Sequence, residues 1–274
     1  MTTTSGYLLG ASTSERERLL VQGEMFRPEA ERLLDQCGIQ PGWRAIDVGC
    51  GPLGVMDLLS ERVGTAGEVV GLDSEPRMLE LAKETVAEKR LGNVTLVTSD
   101  GGATGLPKGG FDLAHTRLVL MNVPHADAVL GEMVSLVRPG GVVAVQDVDW
   151  VSRICEPPHP AWDRIVGVIA ELWRLNGMDV HIGRRLPHML RRAGVTGVGA
   201  HAAARVFTHG EPYQRLMVTR AEQCRDALVE RGLITGAELD ECVRELSAHL
   251  DDPGTIVLHA TLFQAWGRVP GASR

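Results

Sequence analysis

No run of apolar residues in this 274-residue sequence approaches the roughly 20 needed to cross a bilayer. The opening stretch, MTTTSGYLLGAS, has no basic segment ahead of an apolar core, so no secretory signal is expected there. Positive charge is also short. With 28 Lys and Arg against 35 Asp and Glu, the net charge is −7. Phosphate backbones are bound by clustered cations, so a nucleic-acid partner is not expected. Lysine occurs only at Lys83, Lys89 and Lys108. Beside the abundant Ala, Gly and Val, that points to a GC-rich genome rather than to chemistry. The five cysteines (Cys37, Cys50, Cys155, Cys224, Cys242) are odd in number, scattered and without a C-x-x-C pair. Neither a disulfide framework nor a zinc knuckle fits them. A soluble, cytoplasmic protein in a reducing compartment is expected.

What is present reads as an ordinary globular chain, 44% hydrophobic and 23% charged. Residues 14 to 37 are helical in pattern, with Pro28 opening a second segment. Pro41-Gly42 then breaks the chain before a short strand, Arg44 to Val48. Strands are expected at 68–73, 94–98, 111–114 and 142–148, and helices at 76–90 and 126–137, with His125 as a cap. Such alternation implies a parallel sheet covered on both faces. Beyond Trp150 the texture turns helical: 162–175, 184–193, 212–231 and 237–250. Two more strands are expected at 197–207 and 255–266.

The chemistry-bearing motif lies after the first strand. Gly49-Cys50-Gly51-Pro52-Leu53-Gly54 reads G-x-G-x-x-G, and Asp73 follows nineteen residues later, closing the next strand. That is the spacing of a dinucleotide fingerprint, but also of other adenosine-ligand sites, and a bare turn without ligand is a third reading. The surroundings favour a cationic adenosine ligand. Asp47 sits two residues before the first glycine, where a carboxylate would repel a pyrophosphate. The only tyrosines, Tyr7 and Tyr213, have no lysine four residues on, so hydride-transfer machinery is missing.

On these residues the chain resembles the class I S-adenosylmethionine-dependent methyltransferases. Ala45 to Gly51 is similar to that family's first motif, Gly71-Leu72-Asp73 to its second and Thr98-Ser99-Asp100-Gly101 to its third. Phe111 to Ala114 is similar to its fourth strand, and Leu136 to Gly141 to the turn before the fifth. One departure is the third glycine, which the family puts at the place of Leu53 and this chain at Gly54. The resemblance implies a Rossmann-like, doubly wound α/β fold with a seven-stranded, mostly parallel sheet, N-terminal helices and a helical cap. Residues 1–40 would form a helical arm or lid, 41–150 the cofactor-binding core, and 151–274 the cap elements and the C-terminal strands completing the sheet.

It also implies S-adenosylmethionine as cofactor. Gly49, Cys50 and Gly51 would line its methionine end, with Asp47 acting at second hand and Arg117 meeting the carboxylate. Asp73 would take the ribose hydroxyls, with Ser74 and Met78 alongside. Asp100 and Gly101 would take the adenine. Candidate bases are His115, Asp149 and His181, and candidate substrate or lid residues are Tyr7, Trp150, Met178 and Tyr213. No metal is expected: a metal-dependent relative would carry an acid where His115 stands and an Asp-Asn pair where this chain has Asp147-Val148-Asp149. The expected reaction is methyl transfer to an O, N or C atom of a small molecule in bacterial specialised metabolism. Self-association stays open. The alternatives are a protein that binds the cofactor but steers another reaction, such as a cyclisation, and, third, an NAD-dependent oxidoreductase.

Overall fold

The computed structural model describes residues 13–271. Along the chain run α1 (Thr13–Met25), α2 (Arg27–Cys37), β1 (Arg44–Val48), α3 (Met56–Val63), β2 (Glu68–Asp73), α4 (Pro76–Glu88) and β3 (Val94–Thr98). They are followed by β4 (Phe111–Arg117), α5 (Ala126–Leu136), β5 (Val137–Asp149), β6 (Ile154–Glu156), α6 (Pro160–Leu175), α7 (Ile182–Arg192) and β7 (Thr196–Ala203). The remainder is β8 (Val206–Phe207), α8 (Leu216–Gln223), α9 (Arg225–Glu230), α10 (Gly236–Leu250), β9 (Ile256–Leu258) and β10 (Thr261–Arg268). Among the described residues no helix is long and apolar enough to cross a membrane.

The main sheet has seven strands in the order β3-β2-β1-β4-β5-β10-β7, and the pairings from β3 through β5 are parallel. β1 lies at its centre because it can: four of its five residues are apolar or hydrogen-bonded inside and fully buried. Its register sets Val48 beside Leu72 on one side and Thr116 on the other. The carboxyl ends of β1, β2 and β4 therefore finish level. The strand order reverses between β1 and β4, and in open α/β sheets that is where a ligand crevice forms. Helices α2 and α3 pack through Leu33, Leu34, Met56 and Leu59 with Ala45, Val69, Leu113 and Val142, which lie side by side near the strands' amino ends.

The chain divides into two compact units. Among the described residues the first contains 13–147, 185–201 and 264–271; the second contains 148–184 and 202–263. In the second unit α6 buries Trp162, Ile165, Ile169, Leu172 and Trp173 along one stripe, and α8 and α10 contact it. A small antiparallel sheet, β6-β9-β8, belongs to the same unit.

Several local expectations are corrected. The strand expected at 197–207 is two strands in two sheets, β7 and β8, and the one at 255–266 likewise divides into β9 and β10. Both break at the same level, where His259 N–H donates to the Arg205 carbonyl at 2.8 Å. Alternation along a sequence does not say which sheet a strand joins. The helix expected at 212–231 is a 3-10 turn followed by α8 and α9, interrupted at Cys224 with φ −94 and ψ 5. β4 continues three residues past Ala114, which puts His115 and Thr116 inside the sheet. At the head of α5, His125 makes no side-chain cap bond; it is His159 that caps its helix, α6, accepting from Ala161 N–H at 3.2 Å.

Candidate functional site

The turn between β1 and α3 is held open by three left-handed glycines, Gly49 (φ 73), Gly51 (φ 52) and Gly54 (φ 55), a conformation that side chains rarely adopt. Two are also crowded. A β-carbon on Gly49 would stand 2.3 Å from Val119 Cγ2, and one on Gly54 would stand 2.1 Å from Asp47 Oδ2. Gly51 differs, because a β-carbon there would meet nothing within 4 Å. The turn's first three N–H groups are all engaged within the chain. Gly49 and Cys50 donate to the Leu72 carbonyl at 2.7 and 3.0 Å, and Gly51 donates to Asp73 Oδ2 at 2.9 Å. The bare backbone is thus presented with its amides spent, not as an anion cradle.

Asp73 ends β2 with its other oxygen accepting from Glu75 N–H at 3.0 Å. Burial pushes its carboxyl up from the usual range, against the pull of the Glu75, Gly51 and Ser74 N–H groups. A partly desolvated carboxylate in this state gains from further hydroxyl donors. Ser74 beside it is exposed, whereas Met78 is buried in the first turn of α4. The end of β3 joins the same edge, since Ser99 N–H donates to the Asp73 carbonyl at 3.1 Å. Asp100 is exposed there and accepts from Gly102 N–H at 2.7 Å. Gly101 comes so close to β1 that a β-carbon would stand 3.0 Å from Val48 Cγ1. Arg117, at the end of β4, donates to the Gly54 carbonyl at 2.8 Å and so braces the glycine turn. The Cys50 side chain is buried, its thiol pushed well above the usual value by burial and then by Asp47 and Asp73. What Cys50 offers the turn is backbone.

Beneath the turn runs a buried polar relay that the sequence reading did not find. Asp47 Oδ2 accepts from Val55 N–H at 2.9 Å, at the entrance to α3. Its Oδ1 is 2.8 Å from His115 Nδ1. Gln146 Nε2 lies 2.9 Å from His115 Nε2; an amide nitrogen donates, so Nε2 accepts and the ring proton is on Nδ1, facing Asp47. Gln146 in turn accepts from Gln264 Nε2 at 3.0 Å, and that amide also donates to the Glu29 carbonyl at 2.6 Å. Asp47, His115, Gln146 and Gln264 are all at most 1% exposed. Neither ring nitrogen of His115 is left to take a proton from a substrate. Nearby, Asp147 Oδ2 accepts from Met121 N–H at 3.0 Å.

The remaining candidates belong to the second unit. Asp149 is buried and ion-paired with Arg184, and its Oδ1 lies 3.5 Å from Nδ1 of the half-exposed His181. Trp150 stacks on Trp173 with ring centroids 5.3 Å apart, and Trp173 accepts the N–H of the half-buried Met178 at 3.0 Å. Tyr213 stacks on Phe207 at 5.7 Å, with His259 edge-on to both. Tyr7 lies outside the described residues. Among the described residues no group of three His, Cys, Asp or Glu could hold a metal ion.

A family model described as a methyltransferase domain matches residues 39–193. Trans-aconitate 2-methyltransferase of Methylobacterium radiotolerans is 34% identical over 202 residues, 73% of this chain and 72% of that protein. Nocamycin O-methyltransferase of Saccharothrix syringae is 37% identical over 122 residues, 44% of each chain. The match thus spans less than half of this second relative. Among solved structures, a SAM-dependent methyltransferase from Aquifex aeolicus superposes with a TM-score of 0.51 at 22% identity, over 72% of this chain and 92% of that one. That likeness concerns the fold.

Proposed function

The chain belongs to the class I S-adenosylmethionine-dependent methyltransferases, and from that premise we propose that it methylates an O, N or C atom of a small organic molecule in bacterial specialised metabolism. The observation that carries the cofactor assignment on this chain is the Gly51–Asp73 pair. A dinucleotide needs free amides for its pyrophosphate, and here the first three of the turn are spent on Leu72 and Asp73. A ligand whose amino-acid end carries an ammonium group suits the turn's bare backbone and carbonyl oxygens better. The buried Asp47 beneath it adds negative charge.

The residues fit the remaining parts of the cofactor as well. Asp73 uses one lone pair on each oxygen for the backbone, which leaves acceptor capacity for a ribose diol. Asp100 and Gly101 supply an acceptor and an N–H for the adenine. Bound S-adenosylmethionine supplies an electrophilic methyl group on a sulfonium, so the protein's work is alignment, exclusion of water and, for some acceptors, removal of a proton. His115 does not serve as the base in this reading, because both its ring nitrogens are committed; it acts as a positioning residue for the turn. The proton falls to His181, whose Nδ1 faces Asp149 while Arg184 keeps that carboxylate paired. Trp150, Met178 and Tyr213 are the substrate-facing residues we assign. The relative named for O-methylation of nocamycin supports a small-molecule acceptor.

Calorimetry on the full chain tests the cofactor site. S-adenosylmethionine should bind and NAD should not, and Asp73→Ala should lose about 1–3 kcal/mol, roughly 5- to 150-fold in affinity. Unchanged affinity in a folded variant would refute the ribose role. Release of S-adenosylhomocysteine in the presence of small metabolites then tests turnover. Here His181→Gln should slow acceptors that carry a proton by about 10²-fold while leaving cofactor affinity intact. Cofactor that binds but is never consumed would point to a protein that steers a different reaction.

A further inference from the structure

Arg153 is the most unusual cation in the second unit. It is 9% exposed. Its guanidinium carbon lies 3.7 Å above the centre of the Trp150 ring, and Nη1 donates to the Trp150 carbonyl at 2.7 Å. Among the described residues no carboxylate is bonded to it, and its Nε is buried without a hydrogen-bond partner. Asp149, whose negative charge reaches it, is ion-paired with Arg184 instead. Burial, reinforced by the like charge of Arg220, pulls the guanidinium down to about 9. The same cation helps burial hold His259 near 3. Two further donors stand in the same stack. The indole N–H groups of Trp150 and Trp173 are buried and also lack partners.

Buried charge is stable only when paired, and buried donors only when an acceptor meets them. Three N–H donors without partners sit on one stacked group, a cation among them, and an anionic acceptor is the chemistry that would satisfy them. We propose that Arg153, with the indole N–H groups of Trp150 and Trp173, recognises the carboxylate of an acidic, aromatic-bodied methyl acceptor. The inference rests on the small-molecule methyltransferase reading and adds a substrate class to it. A planar carboxylate matches a guanidinium in geometry and charge. The stacked rings supply an apolar wall for an unsaturated body. Asp149 repels such a ligand less than an unpaired carboxylate would, because Arg184 neutralises it.

The test uses 2-naphthoate and its neutral twin 2-naphthamide as probes. Each is titrated by calorimetry into the full chain, with and without saturating S-adenosylhomocysteine. Naphthoate should bind at least tenfold more tightly than naphthamide. Arg153→Met should remove that preference while leaving S-adenosylhomocysteine affinity unchanged, and Arg153→Lys should restore part of it. If Arg153→Met does not fold, Trp173→Phe keeps an aromatic ring, though a smaller one, and deletes one donor, and should cut the preference about threefold. Equal affinity for the two probes, binding of neither, or a preference that survives in every folded variant would overturn the subsite. Failure of S-adenosylhomocysteine to bind would count against the methyltransferase reading, while the comparison of probes without it would still decide the anion subsite.

Discussion

A β-carbon at Gly54 would stand 2.1 Å from Asp47 Oδ2 and 2.9 Å from the Cys50 carbonyl, whereas one at Gly51 would enter open space. The two glycines share a left-handed conformation and a place in one motif, yet they answer to different constraints. Gly54→Ala should lower stability by more than the roughly 1–2 kcal/mol of the backbone alone, since it also displaces the carboxylate that holds Val55 N–H. Gly51→Ala should cost about that backbone term and no more, but weaken cofactor binding by obstructing the open side of the turn. Thermal melts set against calorimetry separate the two; a Gly51 variant with full affinity would mean the ligand does not approach there. The motif's letters were enough to find this turn and its acid, Asp73. They could not rank the glycines, because what decides is the distance to side chains far along the chain. His115 shows the same limit. Its position next to a strand drew attention to it as a base, but its partners are 68 and 31 residues away, and no spacing rule reports them.

Three strands of the parallel half were legible because their apolar runs are closed by Gly or Asp, β1 at Gly49, β2 at Asp73 and β5 at Asp149, and the register of β1 on β2 aligns the first two closures at one edge. The short helix α3 was not, since eight residues give barely two turns of pattern. Nor were the polar residues that cross the sheet. Glutamine at 146 and 264 breaks the apolar rhythm of β5 and β10, yet both side chains are fully buried. Together with His115 and Asp47 they link α2, β10, β5, β4 and the entrance of α3 by hydrogen bonds. A buried network of this kind, in which Gln264 Oε1 alone lacks a partner, fixes one arrangement of its elements; a broken one leaves more buried donors and acceptors bare. Gln146→Leu strips His115 Nε2 of its donor and Gln264 Nε2 of one of its two acceptors. It should therefore destabilise the chain by about 1–3 kcal/mol in urea unfolding and weaken cofactor binding through the slackened turn. A variant as stable as the parent would show that the relay contributes nothing net.

For the molecule as a whole, one contribution to the pH response comes from His259. Its folded value is about 3 against an ordinary 6.5, lowered by burial first and by Arg153 second. The folded state therefore binds this proton less readily than the unfolded chain does. The associated stability is complete above pH 6.5 and is lost as the pH falls from there toward 3, by up to about 1.4 kcal/mol per pH unit. Urea midpoints measured between pH 7 and pH 4.5 should fall accordingly, and His259→Leu should flatten the slope; an equal slope in both would remove His259 as its source. The order of strands carries a different consequence, one that belongs to the chain's synthesis. The last nine positions of β5, Gly141 to Asp149, are buried throughout, and its outer neighbour is β10, which the ribosome delivers 112 residues after β5 ends at Asp149. At cellular elongation rates that interval is on the order of 10 s. During it the nascent chain presents a long strand, apolar from Val142 to Val145, with an open edge, the template on which other chains pair. The interval is a demand on chaperones built into the topology, and a fragment ending at residue 150 would never leave it: made alone, such a fragment should accumulate as insoluble protein where the full chain does not.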